Sequence, residues 1–217
     1  MTSLDLTWAV RGVDSLLRQR QGIAEIADDP ECIFRVSVAV AHHVVTLSDG
    51  ASIAIGEPVV RLHYWNEHMP AMPRDGPNAA WANLMVGRIR YSLGILAARM
   101  AGDRRFAEAE AIQAAPAFAY RFGNAVQLSR ICERFGFEVL DLEPRSRLAG
   151  RIHDILDGML IWGLIWAFNP GALKNHGLSH RRIQIWMSRR KLVDLYGGSP
   201  AHEPGERKAL IKDVEPI

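Results

Sequence analysis

Between Ile33 and Trp65 the chain falls into short runs of alternating hydrophobicity separated by turn residues, and this stretch limits the fold more than any other. In Ile33–Val40, Phe34, Val36, Val38 and Val40 face one way while Arg35 and Ser37 face the other, the pattern of a half-buried strand. Val44–Ser48 and Ala51–Ile55 flank Asp49-Gly50, a pair that suits a two-residue type I′ hairpin turn. Gly56-Glu57-Pro58 is a second turn. Val59–Trp65 is the next strand, with Val60, Leu62 and Tyr64 on one side and Arg61, His63 and Trp65 on the other. A strand meander of this kind must cover at least one of its faces.

The remainder supplies helices. Met69–Pro77 is rich in proline and glycine and predicts a loop. Asn78 is placed to cap a helix over Ala79–Ala101 with Leu84, Ile89, Leu93 and Leu96 as its buried stripe. A short helix over Arg105–Ala114, a strand Ala117–Phe122, a helix from Asn124 to Phe135 and a strand Phe137–Leu142 follow. The expected class is α+β, with a mixed, largely antiparallel sheet and flanking helices. Residues 1–31 form an N-terminal helical segment (Trp8–Ile26) and 32–143 the core domain. Residues 147–197 form a C-terminal helical pair (Leu148–Phe168 and His180–Tyr196) packed on the core, and 198–217 a tail.

Three stretches, TLSDG with VVRLHYWNE, LSRICERFGFEVLDL, and IWMSRRKLVDLYG, resemble in order and spacing the YkoP-like family. That family occurs as small stand-alone proteins and as a module fused to polysaccharide deacetylases. The resemblance runs from about Phe34 to Gly197 and implies a bacterial, cell-envelope or glycolipid context. Trp65 stands where its members usually carry a histidine or similar residue. The element order is also similar to that of the GNAT acyltransferases, with Phe135-Gly136-Phe137-Glu138 resembling the end of their last core helix. Acyl-CoA is the cofactor this second resemblance implies. Where those enzymes carry a glycine-rich pyrophosphate loop, however, this chain has Arg74-Asp75-Gly76-Pro77-Asn78-Ala79, with one glycine and a proline that lacks an N–H.

The candidate catalytic residues are His63, Asn66 and Glu67, at a strand end beside a loop. His63 could act as base, Glu67 could orient it and Asn66 could donate to a developing oxyanion. Arg61, Arg35 and Trp65 are the candidate substrate-binding residues, and Arg61 suits a phosphate or carboxylate. A satisfied histidine and asparagine pinning the loop to the sheet is the competing reading. No metal site is expected, because His42 and His43 are adjacent and point apart in a strand. Asp141 and Glu143, near a strand end, could be acidic catalysts, though a solvated turn explains them as well, and Cys132 reads as a packed thiol.

Lys and Arg number 26 against 24 Asp and Glu, a net charge of +2, so bulk electrostatics gives no case for nucleic acid. Met1–Arg11 has no signal-peptide pattern, and the longest apolar run, Gly158–Phe168, is short for a bilayer span. A cytoplasmic chain is expected. Tryptophan-rich Leu148–Phe168, followed by Arg181, Arg182, Arg189, Arg190 and Lys191, suits a core helix with a solvated basic neighbour, the inner membrane surface, or a homodimer. The expected function is a transferase-type enzyme, acyltransferase-like, acting on a small activated or lipid-linked envelope precursor. Its alternative is a non-catalytic glycolipid-binding or enzyme-recruiting module.

Overall fold

A computed structural model describes residues 22–115, 125–142 and 182–198. The expected segments Leu148–Phe168, Ala117–Phe122, most of Trp8–Ile26, Glu143 and the tail beyond 198 lie outside the described residues.

Six strands make one mixed sheet: β1 (Ala24–Glu25), β2 (Phe34–Val40), β5 (Pro58–Tyr64), β6 (Ala111–Ala114), β7 (Glu138–Leu142) and β8 (Arg182–Ser188). Their spatial order is β1-β2-β5-β6-β8-β7, and every neighbouring pair is antiparallel except β5 and β6. The parallel pair is joined through the long helix α1 (Ala79–Gly102), as a crossover connection requires. Helices α2 (Ala125–Glu133) and α3 (Arg189–Tyr196) complete the described elements, with 3-10 turns at Asn66–His68 and Arg104–Phe106. The class is α+β with a largely antiparallel sheet.

One face of the sheet carries the main core. Phe34, Val36, Val60, Leu62, Ile112, Ile185 and Met187 meet Leu93, Leu96 and Met100 of α1, Cys132 of α2, and Leu192 and Tyr196 of α3. The opposite face holds a second apolar cluster, in which Val45, Leu47 and Ile53 of the hairpin β3 (Val45–Thr46) and β4 (Ser52–Ile53) cover Val59, Ala111 and Trp186. The strand alternation expected over residues 33–65 thus sorts side chains between two cores, although Val38 and Val40 emerge half-exposed.

Several local expectations are corrected. His180–Tyr196 is not one helix: 182–188 is strand β8, seated between β6 and β7, and the helix starts at Arg189. Ile183, Ile185 and Met187 face the main core while Trp186 faces the hairpin cluster, a period of two that burial on both faces disguises. Ser188 marks the change of structure, its hydroxyl accepting from the Lys191 N–H at 3.0 Å. Arg105–Ala114 is likewise not a helix, because the 3-10 turn ends at Phe106 and Ala111–Ala114 joins the parallel pair. Ala24–Glu25 is an edge strand rather than helix end.

The Asp49-Gly50 hairpin forms with a different turn. Only Gly50 takes a positive φ (86°), its N–H donating to the Leu47 carbonyl and the Leu47 N–H to Ala51 O, both at 2.9 Å. That is a three-residue loop closed by a left-handed glycine, not a type I′ turn. Asn78 does cap α1, accepting from the Trp81 N–H at 2.9 Å. Leu84 falls outside the buried stripe and is exposed, because burial on α1 starts at Ser92.

Candidate functional site

The side of β2, β5 and β6 that faces away from the main core carries a polar row that the ladder fixes. Arg35 lies opposite His63, Ser37 opposite Arg61, and Arg61 opposite Gln113. The row continues through Trp186 on β8 to Glu138 on β7. Arg35, Ser37 and Gln113 are buried, and Arg61 and His63 are partly so. Polar side chains withdrawn from water must find partners, and here Ser37 pairs with His63, Arg61 with Gln113, and Arg35 with two carboxylates.

His63 Nε2 and Ser37 Oγ are 2.9 Å apart. Burial first, and then the positive charge of Arg61, push the His63 imidazole down to about 4, so it is neutral near pH 7. Arg61 Nε donates to Gln113 Oε1 at 3.2 Å, and burial pulls its guanidinium below the ordinary arginine range. Among the described residues no carboxylate pairs with Arg61.

Arg35 is held differently. It reaches Glu25 Oε1 at 3.2 Å and Glu67 Oε2 at 3.4 Å, and its guanidinium lies 4.2 Å from the Trp65 ring centroid. The other side of Trp65 is stacked by His68 at 3.6 Å, and His68 Nδ1 is 2.9 Å from the Cys32 carbonyl. The 3-10 turn Asn66–His68 therefore delivers Glu67 to Arg35, and Trp65 is buried in a stack. Asn66 opens that turn just past the end of β5.

Of the expected site residues, the structure unites His63 and Arg61, and separately Arg35, Glu67 and Trp65. Register links the two groups through the Arg35–His63 pair. Gln113 is the member that sequence reasoning missed. A polar residue inside Ala111-Ile112-Gln113-Ala114 is a period-two signal that the helical reading of this segment concealed. His42 and His43 lie between strands, His43 edge-on to Trp186. Among the described residues no group of His, Cys, Asp and Glu could hold a metal ion, and no helix is long and apolar enough to cross a membrane.

The polar row lies toward the carboxyl ends of β5 and β6, the only parallel pair among the described strands. The chain leaves β5 for the crossover there. Neutral base, hydroxyl and uncompensated cation stand together at that place. Against curated proteins and against solved structures the chain finds no match. The model of the YkoP domain family matches residues 6–196, nearly the whole chain and all but two of the described residues, and the chain belongs to that family.

Proposed function

We propose that this YkoP domain is a transferase-type enzyme acting on an activated or lipid-linked envelope precursor. The observation that carries the reading is the Ser37–His63 hydrogen bond beside Arg61. A neutral imidazole keeps a lone pair for a proton. In the proposed step, His63 Nε2–H donates to Ser37 Oγ and the acceptor hydroxyl gives its proton to the bare His63 Nδ1. The acceptor oxygen then bonds to the activated carbonyl carbon, and the leaving group departs with its electron pair. An anion on Arg61 offsets the charge that depresses His63, so substrate strengthens the base when it is needed. In this reading Asn66, just past the end of β5, donates to the developing oxyanion, whereas Glu67 serves Arg35.

An acyl donor is the first class to test, since β5, α1 and the parallel strand β6 follow the element order that resembles GNAT enzymes. The decisive experiment incubates the protein with acyl-CoA or nucleotide-activated donors and a bacterial lipid extract, and reads products by mass spectrometry. Donor consumption with a mass-shifted lipid, lost in His63→Gln, supports the reading. Equal product from wild type and His63→Gln sinks it.

The non-catalytic glycolipid-binding or recruiting module has one observation in its favour. Arg35, Ser37 and Gln113 are buried, and each is hydrogen-bonded to another side chain of the protein. Retention of a lipid through purification, with no turnover of any donor, selects that reading.

A further inference from the structure

Arg61 is the cation to explain. Arg35 answers to Glu25 and Glu67, Lys191 to Glu138, Arg105 to Asp103 and Arg190 to Asp49. Arg61 sits in the middle strand of the polar row, partly withdrawn from water, with a neutral amide as its partner. A guanidinium partly withdrawn from water with a single neutral partner keeps donors that an anion can use.

We propose that Arg61, set by Gln113 and flanked by Ser37, is the phosphate-binding subsite of this domain, taking the phosphoryl group of its substrate. The inference rests on the reading of this face as a ligand site and supplies the substrate class.

The geometry argues the point through the donor atoms. Gln113 accepts from Nε, which fixes the plane of the guanidinium and leaves Nη1 and Nη2 without a partner among the described residues. Those two nitrogens are the fork that grips two oxygens of one oxyanion. A third phosphate oxygen has a donor in Ser37, whose hydroxyl proton is free once the His63 tautomer places its own proton on Nε2 and donates to Ser37 Oγ. A carboxylate has only two oxygens and leaves that hydroxyl unused. Gln113 touches no ligand and is a positioning residue.

The test is calorimetry and imidazole NMR on the full chain. The probes are inorganic phosphate, glycerol 3-phosphate and dihexanoyl phosphatidic acid, with acetate at matched ionic strength as the control. Phosphate esters are expected to bind and shift the His63 ring signals, with acetate weaker. Arg61→Gln weakens binding at least about tenfold, the scale of one charge-assisted hydrogen bond. Gln113→Glu, which gives Arg61 an internal carboxylate, abolishes binding while melting shows a folded protein. It is the deciding variant if Arg61→Gln fails to fold. His63→Gln retains binding although it loses turnover, so failure of the subsite and failure of the catalytic reading are told apart. Tighter binding of the lipid than of glycerol 3-phosphate assigns a lipid headgroup, and equal binding a soluble phosphate ester; both support the subsite. It is overturned by folded Arg61→Gln or Gln113→Glu binding like wild type, by acetate equalling phosphate, or by no binding up to about 10 mM, the edge of useful affinity.

Discussion

Ser37 and His63 bond along the diagonal of the β2–β5 ladder: the residue opposite Ser37 is Arg61, and the one opposite His63 is Arg35. The diagonal places a hydroxyl and an imidazole between two guanidinium groups. Of these two arginines, only Arg35 has carboxylate partners among the described residues. Burial first, and then the Arg61 charge, keep the imidazole neutral under conditions that would begin to protonate a free histidine.

This has a measurable acid dependence. The His63 pKa falls from 6.5 to about 4 on folding, so the unfolded chain binds more protons between those values. Its contribution to stability is complete above about 6.5 and declines as pH falls toward 4, by up to about 3 kcal/mol for a shift of that size. Denaturant titrations from pH 7 to 4 should show a shallower loss in His63→Gln than in wild type. Parallel curves would place the proton elsewhere.

Gly136 ends α2 with a φ of 86°, and a Cβ there would stand 2.5 Å from Leu195 Cδ1. Gly136→Ala is expected to lower stability by about 1–2 kcal/mol from backbone strain, with a further steric share. Adding Leu195→Ala should recover only the steric share, as a double-mutant cycle by thermal melting would show.

Asp49 ties the β3–β4 loop to the start of α3. Its side chain accepts from the Ser188 hydroxyl and the Ala51 N–H, and its carbonyl from Arg190. The Ser188 bond does most to hold its carboxyl below the ordinary carboxylate range, so the tie is present above that range and is lost as pH falls through the lowered value. Asp49→Ala should speed hydrogen exchange at the Leu47 and Gly50 amides and lower stability by about 1–2 kcal/mol. Unchanged exchange would show the loop held by its apolar residues alone.

Arg189 and Arg190 are neighbours with different duties. Arg189 donates to the carbonyls of Phe106 (2.8 Å), Ala107 (3.0 Å) and Met100, gathering the end of α1 and the turn after it. Arg189→Gln should lower stability by about 2–3 kcal/mol, since it leaves carbonyls at a helix end unpaired. Arg190, largely exposed beside Asp49, should cost under about 1 kcal/mol when changed to Gln. Equal losses in chemical denaturation would refute the distinction.

Coenzyme A should bind weakly, and without reliance on its pyrophosphate, at the loop before α1. The Gly76 N–H already donates to Pro73 O at 2.9 Å, Pro77 has none, and Asn78 occupies the N–H groups of Trp81 and Ala82. Calorimetry comparing coenzyme A with pantetheine should find similar affinities. A strong preference for the pyrophosphate would contradict the geometry.

How far the sequence speaks depends on where burial leaves a mark. Residues 33–65 were readable because polar Arg35, Ser37, Arg61 and His63 alternate with apolar neighbours, which fixed which of them share a face. Strand β8 hid because Ile183, Ile185, Trp186 and Met187 all turn inward, and an apolar run buried on two sides has no visible period. The pairing of Glu67 with Arg35 depends on the pitch of a single 3-10 turn, which composition does not encode. Gln113 entered only through the parallel register, a contact between segments some fifty residues apart.

Strand β8 is the last of the described strands yet interior in the sheet. During vectorial synthesis, β6 and β7 each wait with an unpaired inner edge until residues 182–188 have left the ribosome. The nascent chain thus carries two open seams that only its most C-terminal described strand can close, and pairing across such sequence distance is slow. A nascent chain halted before β8 is expected to engage chaperones or self-associate through those seams, while release of the next few residues zips both shut at once.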